Sequence, residues 1–242
     1  DEAYVNIDGE YIKTAKIGRA IMDADIVISL NHFKGHEGTG FGGAIKNIGM
    51  GCGSRAGKME MHSSGKPHVI LDKCRRCKQC IKICAHGAIS YNEDGKAVID
   101  HNKCVGCGRC IGICNFDAIK SPNDESADIL NRKMAEYALA VVKDRPQFHI
   151  SLICDVSPNC DCHAENDAPI VPNVGMLASF DMVALDKACA DLVNKQEVFK
   201  NSNLGENISK NIEGHDHFHI NHPDTNWESQ IEHGQKIGLG SK

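Results

Sequence analysis

Several stretches of the chain carry a readable hydrophobic period. In "SADILNRKMAEYALAVV", Leu130, Met134, Tyr137, Ala138 and Val141 recur on one helical face, and Pro146 lies just beyond. The spacing predicts a helix that stops before that proline. "DMVALDKACADLV" repeats the pattern with Leu185, Ala188, Cys189 and Leu192 facing a core, and Asp181 stands at the N-cap position. "QFHISLIC" reads as a strand, and the run from Asp25 to Leu30 reads as a buried one. Ahead of that run, "TAKIGRAIMDA" predicts a helix capped by Thr14, with Ile17, Ala20 and Ile21 on one face. "GHEGTGFGGAIKNIGMGCGSRAGK" is too interrupted by glycine to form a long helix. The alternation of helix and strand on both sides of a different central segment predicts an α/β host.

That central segment is a duplication. "KCRRCKQCIKICAHGAIS" and "KCVGCGRCIGICNFDAIK" align position for position at an offset of thirty, joined by a short strand pair, "ISYNEDGKAVID". One supersecondary unit is used twice. Each copy has the spacing C-x2-C-x2-C-x3-C: Cys74, Cys77, Cys80 and Cys84, then Cys104, Cys107, Cys110 and Cys114. Three such cysteines wrap one turn around three corners of an iron–sulfur cubane, and the fourth points away to the other cluster. On that pattern one [4Fe–4S] cluster takes Cys74, Cys77, Cys80 and Cys114, and the other takes Cys104, Cys107, Cys110 and Cys84. Zinc knuckles pair two C-x-x-C units across a longer spacer, so the spacing disfavours zinc. The segment is similar to the two-cluster bacterial ferredoxin family over its whole length. It departs from that family in having Ala85 and Asn115 where proline follows the last cysteine, which alters the hydrogen bonding open to the sulfurs.

The chain has 242 residues and thirteen cysteines. An odd count, clustered spacing and the lack of a signal-type start favour metal binding in a reducing compartment over a disulfide framework. The net charge of −5 is uneven: Lys66 to Lys120 carries ten basic residues against five acidic, the rest seventeen against twenty-seven. This unevenness fits either a solvated surface or a basic insert that faces an acidic host or an acidic partner. Nucleic acid is not expected, because the basic residues sit among ligands without interleaved aromatics. No run approaches the roughly 18 apolar residues of a membrane span. The expected location is the cytoplasm.

Other signals fail on inspection. Gly38, Gly40 and Gly43 match G-x-G-x-x-G, but seven residues separate them from the preceding strand. A phosphate loop at "GSRAGKM" would need glycine at Cys52 and a hydroxyl at Met59. No three cysteines have the C-x3-C-x2-C spacing of a radical S-adenosylmethionine enzyme. In the tail "HDHFHINH", a strand would put His215, His217 and His219 on one face beside His222, a candidate metal site against the alternative of solvated histidines.

Five cysteines remain. Cys189 and Cys154 read as small buried hydrophobes. Cys160 and Cys162, in "CDVSPNCDCHAEND", sit in an irregular polar loop where a core role fits poorly and a disulfide across one residue would be strained. Two chemistries stay open there: a third metal site, with Cys52, His163 or His62 as further ligands, or a redox-active thiol pair.

"SLNHFKGHEGTGFGGAIKNIGMGCGSRAGKMEMHS", the duplicated insert, "DVSPNCDCHAENDAPIVPNVGMLASFDMVALDKACADLVN" and "HFHINHPDTNWESQIEHGQKIGLGS" together resemble a prokaryotic family. It is catalogued as domain of unknown function 362, in the form carrying a two-cluster ferredoxin module. The resemblance implies iron–sulfur redox work in anaerobic metabolism, and a chain short of an N-terminal α/β portion and of a few C-terminal residues. "HFKGHEGTGFGGAIK" also resembles the glycine-rich loop of the lactate-racemase-type nickel-pincer family, which implies that His32, Lys34 and His36 line a pocket and are candidates for catalysis.

The expected architecture is an α/β host domain with an inserted α+β two-cluster ferredoxin-type module: host residues 1–68, module 69–121, host 122–242. The leading expectation is an electron-transfer protein whose two [4Fe–4S] clusters exchange single electrons with the host, a redox partner protein or a small-molecule substrate. The competing one is an oxidoreductase or cofactor-dependent enzyme, its third metal or thiol site fed by the clusters. An iron–sulfur sensor is a third class, for which two clusters are more than is needed.

Overall fold

The computed structural model describes residues 1–62, 66–104, 106–120, 127–162 and 167–242. The first stretch runs β1 (Glu2–Asn6), β2 (Thr14–Gly18), α1 (Arg19–Met22), β3 (Val27–His32), β4 (Lys34–His36), β5 (Gly40–Gly42) and α2 (Ala44–Cys52). The middle adds α3 (Arg55–His62), β6 (His68–Val69), α4 (Gln79–Ile83), β7 (Ile89–Tyr91), β8 (Ala97–Ile99), α5 (Arg109–Ile113) and β9 (Ile119–Lys120). The last stretch contains α6 (Ala127–Val142), β10 (Gln147–Ile153), β11 (Gly175–Ser179), α7 (Met182–Asn194), α8 (Asn203–Ser209), α9 (His217–Asn221) and α10 (Glu228–Lys236). The chain is mixed α/β with small sheets, and it divides into two compact units: residues 1–53 with 126–242, and residues 54–125.

The larger unit is built on a three-stranded sheet in the order β11-β10-β3. β10 runs parallel to β3 from Gln147↔Val27 to Leu152↔His32, and antiparallel to β11 from His149↔Ser179 to Ile153↔Gly175. Helix α6 packs on α2 and α10, while α7 packs on β10 and β11. Met134, Tyr137, Ala138 and Val141 of α6 are buried, as are Ile45 of α2 and Val183, Cys189 and Val193 of α7. Helix α6 follows its predicted apolar face. In α7, Leu185 and Cys189 are buried as expected, but Ala188 and Leu192 are only half-buried, and Val183, Ala190 and Val193 face the core in their place. The Asp181 carboxylate accepts from the N–H groups of Val183 and Ala184. That bond satisfies two donors a helix start otherwise leaves open.

Two expectations need correction. Thr14 to Gly18 is strand β2, not a helix start; it pairs with β1 from Glu2↔Gly18 to Asn6↔Thr14, and the turn of helix is confined to Arg19–Met22. Its alternation buries Ala15 and Ile17 on one side, so a pairing partner outside the local window overrides the helical reading. The Asp25–Leu30 run, read as buried, forms an edge strand with Ser29 and Asn31 turned inward. Ile26, Ile28 and Leu30 point outward and are 57%, 70% and 69% exposed. Among the described residues, helices cover the opposite face of that sheet. The glycine-rich stretch forms no long helix but two short ones, α2 and α3.

The smaller unit contains α3 and two two-stranded ribbons, β6–β9 and β7–β8, with α4 and α5 at equivalent places in the two repeats. Its core is small: Cys80, Ile89, Ala97, Cys110 and Ile119 are buried, and Cys74, Cys84 and Cys114 pack against them.

Candidate functional site

In the smaller unit each repeat wraps a loop of three cysteines into a five-residue helix and ends it at the fourth, so that Cys84 and Cys114 are the C-caps of α4 and α5. One cavity, about 380 Å³ including space open to solvent, is lined by Cys74, Cys77, Cys80 and Cys114. Another of about 330 Å³ is lined by Cys84, Cys104, Cys107 and Cys110. The near-equal sizes follow from the repeat. Backbone N–H groups point at the sulfurs: Ala88 to Cys84 Sγ and Ala118 to Cys114 Sγ, both 3.4 Å, Ala97 to Cys74 Sγ and Gly106 to Cys104 Sγ, both 3.5 Å. Amide donors of this kind supply the sulfurs with polar partners inside the fold. Tyr91 lines the first cavity, and its hydroxyl is buried without a hydrogen-bond partner among the described residues. Burial raises the Cys80 thiol and pushes Cys110 up to about 11, so a cation bound there must displace protons. No three of these eight sulfurs lie within 4.8 Å of one another among the described residues, a wider spread than one ion with metal–sulfur bonds of about 2.3 Å would require.

The larger unit gathers a second group. Gly35 lets the loop after Ser157 lie against β4: its N–H donates to Ser157 O at 2.8 Å, and a Cβ there would collide with Pro158 O. This contact sets Cys160 beside β4 and α2. His36, Cys160 and Cys162 offer ligand atoms all within 4.8 Å of one another, and Lys46 Nζ donates to Cys160 Sγ at 2.8 Å. Burial alone would push the Cys160 thiol up; bonds from His36 and Lys46 more than offset it and bring it down to about 5. Burial and the hydrogen bond to Cys160 raise the Cys162 thiol. Alongside, buried Lys34 donates to His32 O and to Asn47 Oδ1, both at 3.0 Å, and lies 3.4 Å from Asp161. Burial lowers its pKa, against the pull of Asp161. Both ring nitrogens of His32 face oxygens at 2.8 Å, Asp161 Oδ2 and Cys154 O.

His32, Lys34 and His36 therefore share one neighbourhood with Cys160 and Cys162, whereas Cys52, at the end of α2, is not among the three grouped ligands, and His36 takes the place expected for it. His163 lies outside the described residues. Lys46 and Asp161 were not singled out by the sequence, because nothing local marks either as more than a solvated charge. The glycines of "GTGFGG" lead into α2, but the N-terminal amides of that helix already hold a carboxylate: Ala44 and Ile45 donate to Asp186 at 2.6 and 2.8 Å. Cys189 is fully buried, and Cys154 is half-buried at the end of β10.

The histidine tail is helical at α9, so the strand geometry does not form. His215 and His219 meet instead with Asp216 and Glu228 in a second group within 4.8 Å, while His217 binds Gln196 O and His222 binds Pro158 O. Each member of that group is already engaged, with His215 on Glu228 at 2.8 Å and His219 on Asp216 at 3.0 Å.

Among the described residues no helix is long and apolar enough to cross a membrane. Thirteen cysteines and these groups are compatible with a metal or iron–sulfur role. The family model described as Domain of unknown function (DUF362) matches residues 1–191. No curated protein matches the chain.

Proposed function

The chain belongs to the DUF362 family, and on that footing we propose that it is an iron–sulfur electron-transfer protein with two [4Fe–4S] clusters in an inserted ferredoxin-type module, residues 69–121, serving a host formed by residues 1–68 and 122–242. Cys74, Cys77, Cys80 and Cys114 hold one cluster, and Cys104, Cys107, Cys110 and Cys84 hold the other. The observation that carries this reading is the composition of the two cavities: each is walled by three cysteines of one repeat and the fourth of the other. Bound clusters supply one-electron oxidation and reduction. The chain's own part is to ligate them, to aim the amides of Ala88, Ala97, Gly106 and Ala118 at the ligand sulfurs, and to offer the Tyr91 hydroxyl, which lines the first cavity, to the first cluster. Arg75, Arg76 and Lys78 line that same cavity and favour the more negative, reduced state. The electrons pass to or from the host, a redox partner protein or a small molecule, in the cytoplasm of an anaerobically living cell, without nucleic acid or membrane.

A second reading, an oxidoreductase whose host carries its own redox site, is favoured by one observation: the buried contact between Lys46 and Cys160. The first reading is tested on protein purified without oxygen. About eight iron and eight acid-labile sulfide per chain are expected; two zinc ions, or iron without sulfide, would refute it.

A further inference from the structure

The Cys160–Cys162 group offers two chemistries, ion binding and thiol redox exchange, and its hydrogen bonds separate them. A histidine that ligates a metal through one nitrogen donates its other N–H to an oxygen. His36 does the reverse, since its Nδ1 accepts the N–H of Gly38 at 2.9 Å. With Nδ1 an acceptor, the neutral ring carries its proton on Nε2, which then has no lone pair for an ion, while the ring lies within 4.8 Å of both sulfurs. Lys46 adds an ammonium 2.8 Å from Cys160 Sγ. Around Cys160 the structure thus assembles donors to a thiolate.

The two cysteines are also unequal in the way an exchange reaction needs. Cys160 is 3% exposed, whereas Cys162 faces solvent. An incoming thiolate can reach the sulfur of Cys162, and the departing electron pair then settles on the sulfur that Lys46 and His36 stabilise. We propose that Cys160 and Cys162 form a redox-active pair that oxidises thiols, with Cys162 the sulfur attacked and Cys160 the leaving group.

In the oxidised pair, one thiolate attacks Cys162 Sγ; the Cys160–Cys162 S–S bond breaks and Cys160 leaves as a thiolate. A second thiolate then attacks the mixed disulfide at its outer sulfur, releasing a disulfide product and Cys162, which takes up a proton. Per turnover two thiols lose two electrons and two protons; both electrons reduce the S–S bond, one proton ends on Cys162 and one in solvent. The reverse exchange with a disulfide re-forms the bond. Strain in a disulfide spanning a single intervening residue and stabilisation of the Cys160 thiolate both favour the reduced form, which makes the oxidised pair an oxidant. This site is independent of the cluster reading.

The test uses the whole chain, purified without oxygen and equilibrated in mixtures of reduced and oxidised glutathione, then acid-quenched, alkylated and mapped by mass spectrometry. Cys160 and Cys162 are expected to lose alkylation together in one two-electron transition while Cys154 stays alkylated. Lys46→Met should raise the ratio of squared thiol to disulfide needed for half-reduction by about tenfold, as fits a lost hydrogen bond to a charged group, and Lys46→Arg should restore part of it. Cys162→Ser, an exposed change that leaves the fold intact, should abolish the intramolecular disulfide. Three outcomes would overturn the proposal: independent alkylation of the two cysteines at every ratio, a glutathione adduct that never resolves to the internal disulfide, or a tightly held metal ion that blocks alkylation until a chelator is added.

Discussion

Arg76 and Lys78 hold φ of 59° and 66°; Gly106 and Gly108, thirty positions on, hold 74° and 66°. The two cysteine loops therefore share one backbone path through the left-handed region, relaxed by glycine in the second repeat and strained by side chains in the first. A residue with a Cβ carries about 1–2 kcal/mol there. Gly106→Ala tests this, because among the described residues no atom beyond its chain neighbours lies within 4 Å of the Cβ it would add. It should cost about 1 kcal/mol in denaturant unfolding of the cluster-loaded chain, and Arg76→Gly should gain about 0.5 kcal/mol once the greater freedom of the unfolded glycine is offset. A loss in both variants would mean that the loops differ. The duplication was legible from spacing alone. The strain was not, since arginine and lysine carry no turn signature, and only the glycines of the other copy hint at it.

Among the elements, the sheet β11-β10-β3 turns its polar residues inward. Ser29 Oγ lies 2.7 Å from His149 Nδ1, Asn31 Nδ2 donates to Ser29 Oγ at 2.8 Å, and His149 Nε2 lies 2.8 Å from Gln147 Oε1. Burial pushes the His149 pKa down to about 4, partly opposed by Asp181. As pH falls below about 6.5 the unfolded chain takes up a proton that the folded ring refuses until about pH 4, so the contribution of this histidine is whole above that window and lost within it. His149→Gln should therefore be most damaging at neutral pH. Its penalty relative to wild type, from urea transitions, should shrink by roughly 1–2 kcal/mol between pH 7 and pH 5; a constant penalty would mean that the ring already titrates normally. Helices α6 and α7 and strand β10 were readable because their periods are local. Strand β2 was not, because it exists only by pairing with β1. The facing of β3 was half-readable: the alternation of Ile26, Ile28 and Leu30 with Ser29 and Asn31 marks two faces, but only the packing of the helices decides which one is covered.

At the scale of the whole molecule, the two candidate sites differ in how far the chain must fold to make them. The cysteine cavities assemble within one short duplicated unit, so local spacing is enough to propose which four sulfurs act together. The host group joins Lys46 to Cys160 across 114 positions, and no local pattern could have paired them. The same contrast bears on stability. The unit of residues 54–125 has at its centre a buried cluster of Cys80, Ile89, Ala97, Cys110 and Ile119, and two of these five are proposed cluster ligands. Domains this small seldom bury enough apolar surface to stand alone, and metal binding commonly makes up the difference. The host has its own core, with Tyr137, Met134, Ile153 and Met182 fully buried. Stripping iron with a chelator under anoxic, reducing conditions should abolish hydrogen-exchange protection in peptides from residues 66–120 while those from α6, β10 and α7 keep theirs. Retained protection across the duplicated segment after iron is gone would mean that the cysteines pack as an ordinary core, and that the clusters are guests in this unit and not the groups that hold it together.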